Sequence, residues 1–308
     1  MESSISMELS YINDEFFSRL EALAFNLKSY LVGYFGGKHL VKSYGQTVEF
    51  ADYREYQLGD DIRRIDWNLY GRFEKFFIKL FTDERQMKVQ IFLDASASMG
   101  KDNPKKAAYA TACAAGFGYL AIHNMDKVSF NVMKGNKAEN TNGTIVGKNA
   151  FFRSITTLQN VTFEDDVDIE KCIINSSDSA DSNGIAVIIS DFMTDNDWKK
   201  AVDYLLYKKK QVLLIQVLTP EELEPSYMGR VNLIDLESGA IADPKNMRIK
   251  IDTASQKAYQ QALKEFRNDI STYCRKRDVD FISISTDTPV ESVLFKELMK
   301  VGIMSWQY

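Results

Sequence analysis

Apolar and polar positions along this chain fall into two rhythms. Short apolar runs rich in β-branched residues occur at Val89 to Leu93, Lys127 to Met133, Ile185 to Ser190, Gln211 to Leu218 and Val279 to Ser285. Each is bounded by polar or turn-forming residues, and each reads as a strand. Between the runs the apolar residues recur at helical spacing. Helices are predicted at about Pro104 to His123, Asn149 to Leu158, Asp166 to Asn175, Thr194 to Tyr207, Ser255 to Lys276 and Pro289 to Val301. Pro104 suits a first helical turn. Thr194 to Asp197 resembles a capping box, with Asp in the place of Glu. The helix after Pro104 is small and apolar nearly all round, from Ala107 to Gly118. Such a helix must be buried on every side.

The flanking stretches are less regular. Phe16, Phe17, Leu20, Leu23, Leu27 and Leu31 form a helical stripe over Asp14 to Tyr34, with Asn13 or Asp14 as its cap. Gly45 to Glu55 reads as mixed and turn-rich. Gly59 and Asp60 are expected to turn the chain and cap a short helix carrying Ile62, Ile65 and Leu69. Around it Asp52, Arg54, Asp61, Arg63, Arg64 and Asp66 invite an ion-pair network that clamps this segment to the rest of the chain. Lys75 to Thr82 is strand-like. A polar Gly/Asn-rich loop over Gly135 to Lys148 has room for a short strand near Thr144 to Val146. Ser176 to Asn183 is a polar linker. Glu221 to Arg248 is irregular, with Val231 to Leu236 strand-like and a turn at Glu237 to Gly239.

Strands alternating with helices imply an α/β fold, a doubly wound and mostly parallel sheet covered on both faces. The expected boundaries are an N-terminal helix/strand extension over residues 1–87, packed on an α/β domain over 88–308. In the doubly wound order 3-2-1-4-5-6 the first and fourth strands are neighbours, and ligands bind beyond their carboxyl ends. Here the first strand of the series ends at Asp94 and the fourth at Asp191, provided a short third strand lies within 135–148.

Composition narrows the function classes. The chain has 308 residues, enough for a sizeable core, and a net charge of −5. No global basic field attracts nucleic acid or an anionic membrane. No signal peptide is evident in Met1 to Ser10, and no run reaches the roughly 18–20 apolar residues of a membrane span. Cytoplasmic location is expected. Cys113, Cys172 and Cys274 are scattered through helical patterns and read as buried thiols. His39 and His123 are the only histidines, far apart, and read as structural.

The candidate chemistry lies at Asp94-Ala-Ser96-Ala-Ser98. Three oxygen side chains at alternate positions beyond a strand can point the same way. Carboxylate and hydroxyl oxygens suit a hard divalent cation. Together with Asp191, this pattern resembles the metal-ion-dependent adhesion site of von Willebrand factor A domains. The resemblance implies that Asp94, Ser96, Ser98 and Asp191 hold Mg²⁺, or another divalent ion such as Mn²⁺ or Ca²⁺. It also implies a threonine from a middle loop. The local alignment puts Val167 at that place; Thr162 lies five residues earlier and is the substitute, with Asp166 or Asp168 as further candidates.

The earlier motifs Glu49-Phe-x-Asp52-x-Arg54-x-Tyr56, Gly59-Asp60-Asp61-x-Arg63-x-x-Asp66-Trp67-Asn68 and Phe81-x-x-Glu84-Arg85 narrow this further, and Gly229-x-Val231-x-Leu233-x-Asp235-x-Glu237 also fits. They resemble a bacterial domain-of-unknown-function family that pairs this segment with a von Willebrand factor A-like domain. Such proteins commonly accompany MoxR-type AAA+ ATPases. The resemblance implies a divalent-metal-dependent protein-binding module, an accessory or adaptor whose partner is a MoxR-like ATPase or its protein client. No enzyme is expected. The rival reading is a metal-dependent hydrolase using Asp94 and Asp191. Against it, the chain shows neither an Asp-x-Asp phosphatase nucleophile nor a Gly-x-Ser-x-Gly elbow at this motif, and no Gly-rich phosphate loop.

Overall fold

The computed structural model describes residues 11–22, 48–57, 60–83, 87–101, 103–140, 142–164, 166–176, 184–225, 229–233 and 247–294. The chain divides into two compact units, Met1–Lys28 together with Met87–Tyr308, and Ser29–Gln86.

The smaller unit opens with β1 (Val48–Glu55), where the sequence suggested turns. β1 pairs antiparallel with β2 (Phe77–Asp83), and a bulge between Phe50 and Asp52 breaks its alternation. That bulge is why the period of two is hard to see in the sequence. Between the strands, Ile62–Arg64 forms one 3-10 turn capped by Asp61. α2 (Trp67–Phe73) follows, with the Asp66 carboxylate accepting from Asn68 N and Leu69 N. The expected single helix is therefore two pieces, divided where Ile65 bridges Ile78. Ion pairs among the described residues of this unit are Arg54–Asp60 at 2.8 Å, Lys79–Asp66 at 3.0 Å and Lys75–Glu55 at 2.7 Å.

The larger unit is built on a six-stranded sheet. Its strands are β3 (Lys88–Asp94), β4 (Lys127–Lys134), β5 (Lys137–Glu139), β6 (Ile185–Ser190), β7 (Gln211–Leu218) and β10 (Asp280–Ser285). The order is β10-β7-β6-β3-β4-β5, parallel except for the edge strand β5. This is the doubly wound order expected from the sequence. The short third strand is β5; Ile145, in the stretch first suggested for it, makes a single bridge to Val128. A separate ribbon pairs β8 (Gly229–Leu233) with β9 (Met247–Ile251). The turn expected at 237–239 and the linker at 177–183 lie outside the described residues, as does His39.

Connecting helices cover the sheet. α3 is the short turn Ala97–Gly100, and α4 spans Pro104–His123 as the sequence predicts. Gly118 in α4 lies against Phe130 and Phe151, where a Cβ would come within 2.7 Å of the Phe130 ring. Phe151 belongs to α5 (Lys148–Gln159). α1 (residues 14–22) packs on these same helices. Asn13 caps it, Leu20 is fully buried, and the Phe17 ring meets Tyr119, Phe151 and Phe152. The N-terminal helix is thus part of the larger unit.

A second core gathers Phe92, Ile188 and Leu214 of the sheet with α6 (Ile169–Ile174), α7 (Trp198–Tyr207) and α9 (Thr253–Arg275). α7 begins after Asp197, and the Thr194 hydroxyl accepts from Asn196 instead of capping the helix. The capping box lies one strand later. In α8 (Pro220–Leu223), Thr219 and Glu222 satisfy each other's backbone N–H groups. Cys113, Cys172 and Cys274 are free and buried, as expected. Among the described residues no helix is long and apolar enough to cross a membrane.

Candidate functional site at the carboxyl edge of the sheet

β3 and β6 are neighbours, and the last pair between them is Leu93 with Ile189. Asp94 and Ser190 lie one step further. Parallel pairing puts them on the same face, and the Ser190 hydroxyl donates to Asp94 Oδ2 at 2.6 Å. Ser190 is in register with Gln216 on β7, and Gln216 with Ser283 on β10. Ser283 Oγ donates to Gln216 Oε1 at 2.9 Å, and Gln216 Nε2 donates to the Asp191 carbonyl at 3.0 Å. A row of polar side chains therefore crosses four strands at the edge of an apolar sheet.

Asp94, Ser96 and Asp191 are buried, each under 5% exposed. Asp94 Oδ1 accepts from Ser96 N at 2.9 Å. The Ser96 hydroxyl lies 3.1 Å from that of Ser98. Ser96 stands at the cap position of α3, yet its side chain makes no capping bond. Burial first, and then the nearby Asp191 charge, pushes the Asp94 carboxyl up to about 6, against opposing hydrogen bonds from Ser190 and Ser96. Asp191 Oδ1 accepts from Met193 N at 2.9 Å, and the intervening Phe192 adopts a positive φ of 58°.

The sequence-derived residues Asp94, Ser96, Ser98 and Asp191 thus converge at the switch point. Thr162 is held otherwise: it is exposed, and its hydroxyl accepts from Lys134 Nζ at 3.0 Å. Val167 is buried and bridges Gly135. Asp166 accepts from Val167 N, and Asp168 caps α6. Residues 161–164 and 166–168 run along the same edge. Glu164 N donates to the Ala95 carbonyl, Asp168 N to that of Gly135, and Asn196 Nδ2 to that of Val167.

Three residues of the site went unread in the sequence: Ser190, Glu222 and Lys106. Lys106 is the most consequential. It lies in the first turn of α4 and is 0% exposed. Its ammonium donates to Asp191 Oδ2 at 2.8 Å, to Glu222 Oε1 at 2.7 Å and to the Ser98 carbonyl at 3.3 Å. Burial alone would lower the Lys106 pKa; the charges of Asp191 and Glu222 outweigh it and raise the value. A signal was present. A lysine at a helix N-terminus opposes the macrodipole, although the sequence does not separate Lys106 from its exposed neighbour Lys105. Thr219-Pro-Glu-Glu222 likewise carries a capping-box pattern.

A divalent ion between Asp94 and Asp191 would need the oxygens that Lys106 and the backbone already engage. It would also lie beside a buried ammonium, a like charge in a poorly screened setting. With Lys106 in place the donor set does not fit such an ion. Among the described residues no group of three or more His, Cys, Asp or Glu side chains is arranged to hold a metal.

An uncharacterized protein of Mycobacterium bovis is 27% identical over 273 residues, 87% of this chain and 84% of that protein. An uncharacterized protein of Mycobacterium tuberculosis matches to the same extent, 27% over 273 residues. Among solved structures, a von Willebrand factor type A protein from Catenulispora acidiphila aligns with a TM-score of 0.39 at 11% identity, covering 84% of this chain and 51% of that one. The pilus adhesin SpaC from Lactobacillus rhamnosus GG aligns with a TM-score of 0.38 at 8% identity, covering 72% and 30%. This chain therefore spans about half the length of the first structure and less of the second. Residues 52–269 match the family model described as Protein of unknown function DUF58, and the chain belongs to that family.

Proposed function

We propose that this chain is a cytoplasmic protein-binding module whose docking site is the rim above Asp94 and Asp191. The observation that carries the reading is the convergence of Asp94, Ser96, Ser98 and Asp191 at the switch point, beside loops from β3 and β6 and residues 161–164 and 166–168. Ligands of doubly wound sheets bind at that place. The rim carries exposed acids at Glu164, Asp166 and Asp195, with Met193 among them as an exposed apolar side chain, while Asp197 pairs with Lys200 at 3.7 Å. A basic face with an apolar contact on a partner protein would complement it. The family resemblance makes a MoxR-type AAA+ ATPase, or a client it remodels, the candidate partner.

The hydrolase reading has less to support it. Ser96 Oγ meets another hydroxyl, and both Asp94 oxygens already accept hydrogen bonds. His123 ends α4, at the opposite end from the helix turn that carries Lys106.

The test is titration of the full chain against a purified MoxR-type ATPase from the same organism. The double variant Glu164→Lys, Asp195→Lys is expected to bind at least about tenfold more weakly, a loss near 1.4 kcal/mol. Wild-type binding should weaken with salt. Equal binding by wild type and variant would remove the rim as the docking site.

A further inference from the structure

We propose that Lys106 is a built-in cation standing where a divalent ion would otherwise join these loops, so that the site works without metal. The inference deepens the protein-binding reading and rests on it for the partner's part only.

An ammonium has three N–H donors and no acceptor. Lys106 has an acceptor for each, at Ser98, Asp191 and Glu222. These acceptors follow β3, β6 and β7, three adjacent strands. One buried cation therefore ties together three loops of the carboxyl edge, the structural task of a metal ion. Glu222 is fixed in advance, because Oε2 of the same carboxylate accepts from Thr219 N at 2.8 Å. Asp191 is fixed by Met193 N. The ammonium thus enters a preformed pair of carboxylates. At the start of α4 it also opposes the helix dipole, so its place depends on those two anions.

The consequence concerns recognition. A bound metal with an open position can accept a carboxylate from a partner. A fully buried lysine whose donors are all engaged offers no such position. Partner binding at the rim is then indifferent to chelator and needs no acidic group on the partner.

The probe is Mn²⁺, followed by electron paramagnetic resonance and by thermal unfolding. Wild type, Lys106→Ala and Lys106→Ala with Asp191→Asn are compared as full chains. Wild type should leave Mn²⁺ free at about 1 mM, a concentration that fills weak oxygen-ligand sites. Lys106→Ala vacates the ammonium position and exposes Asp191 and Glu222 to the ion. It should take up one Mn²⁺ at least about tenfold more tightly than wild type, and its unfolding temperature should rise with Mn²⁺. Adding Asp191→Asn should remove both effects. Wild type that takes up one Mn²⁺ and loses it on Asp191→Asn overturns the proposal. So does a Lys106→Ala chain that Mn²⁺ neither binds nor stabilises, folded or not. Loss of ATPase binding on adding chelator to wild type would overturn it while leaving the rim as the docking site. ATPase binding that ignores both chelator and rim charge would refute the docking site alone.

Discussion

Removing the Lys106 ammonium strands the buried Asp191 carboxylate without its counter-charge, beside a partly exposed Glu222. Breaking one partner out of a buried ion cluster costs about 3–5 kcal/mol. Lys106→Met is therefore expected to lose that much in urea unfolding. Adding Asp191→Asn removes the stranded charge and should return part of it; additive losses would mean that Lys106 and Asp191 are not coupled. Asp126 supplies a second prediction at this scale, away from the site. It is 8% exposed and accepts from Met87 N at 2.9 Å. Burial raises its carboxyl from the ordinary 3.8 to about 6, against that one hydrogen bond. Between those values the folded chain holds the proton more tightly than the unfolded chain. Stability from this group is therefore lost as pH rises from about 4 to about 6, and it stays lost above. Asp126→Asn removes the titration. Relative to wild type it should gain about 1–2 kcal/mol between pH 4 and pH 7, less than the full shift because some solvent reaches the group. A difference independent of pH would contradict the raised value.

Elements were legible where one pattern ran unbroken. α4 matches its predicted bounds because Pro104 opens it and its interior is apolar throughout. β6 and β7 match because each is mostly apolar, with Gln216 the one polar interruption inside β7. β1 was lost because its bulge disturbs the alternation and its partner β2 lies more than twenty residues on. The polar row of Ser190, Gln216 and Ser283 was lost for another reason. Each is a polar residue in a largely apolar strand, and only the register shows that they are neighbours. One glycine sets the entry to β6. Gly184 has φ +101°, and a Cβ there would lie 2.4 Å from the Lys88 carbonyl oxygen. Gly184→Ala should cost about 2 kcal/mol or more, through strain and contact together. Gly143 has φ +63° with open space around it, so Gly143→Ala should cost only about 1 kcal/mol. Equal unfolding midpoints for the two variants would argue against the close approach at Lys88.

At the scale of the whole molecule, strand order was readable because the two acid-ended runs imply a switch point between the first and fourth strands of the sheet. What joins those acids was not readable: Lys106 is distant from Asp191 in sequence, and the resemblance to a metal site drew attention to oxygens alone. The N-terminal helix likewise belongs with the sheet, as its Phe16 and Leu20 are buried there. Phe16→Ala should destabilise the larger unit by about 3 kcal/mol or more, seen as a lower urea midpoint. An unchanged midpoint would detach α1 from the core. The central claim is that the carboxylates at the switch point are joined by the chain's own lysine. Crystals grown in Mn²⁺ test it most directly, through an anomalous difference map at the carboxyl edge of the sheet. The account predicts the Lys106 ammonium between Asp191 and Glu222 with no anomalous peak beside it. A Mn²⁺ peak coordinated by Asp94, Ser96, Ser98 or Asp191, with Lys106 turned away, would contradict it.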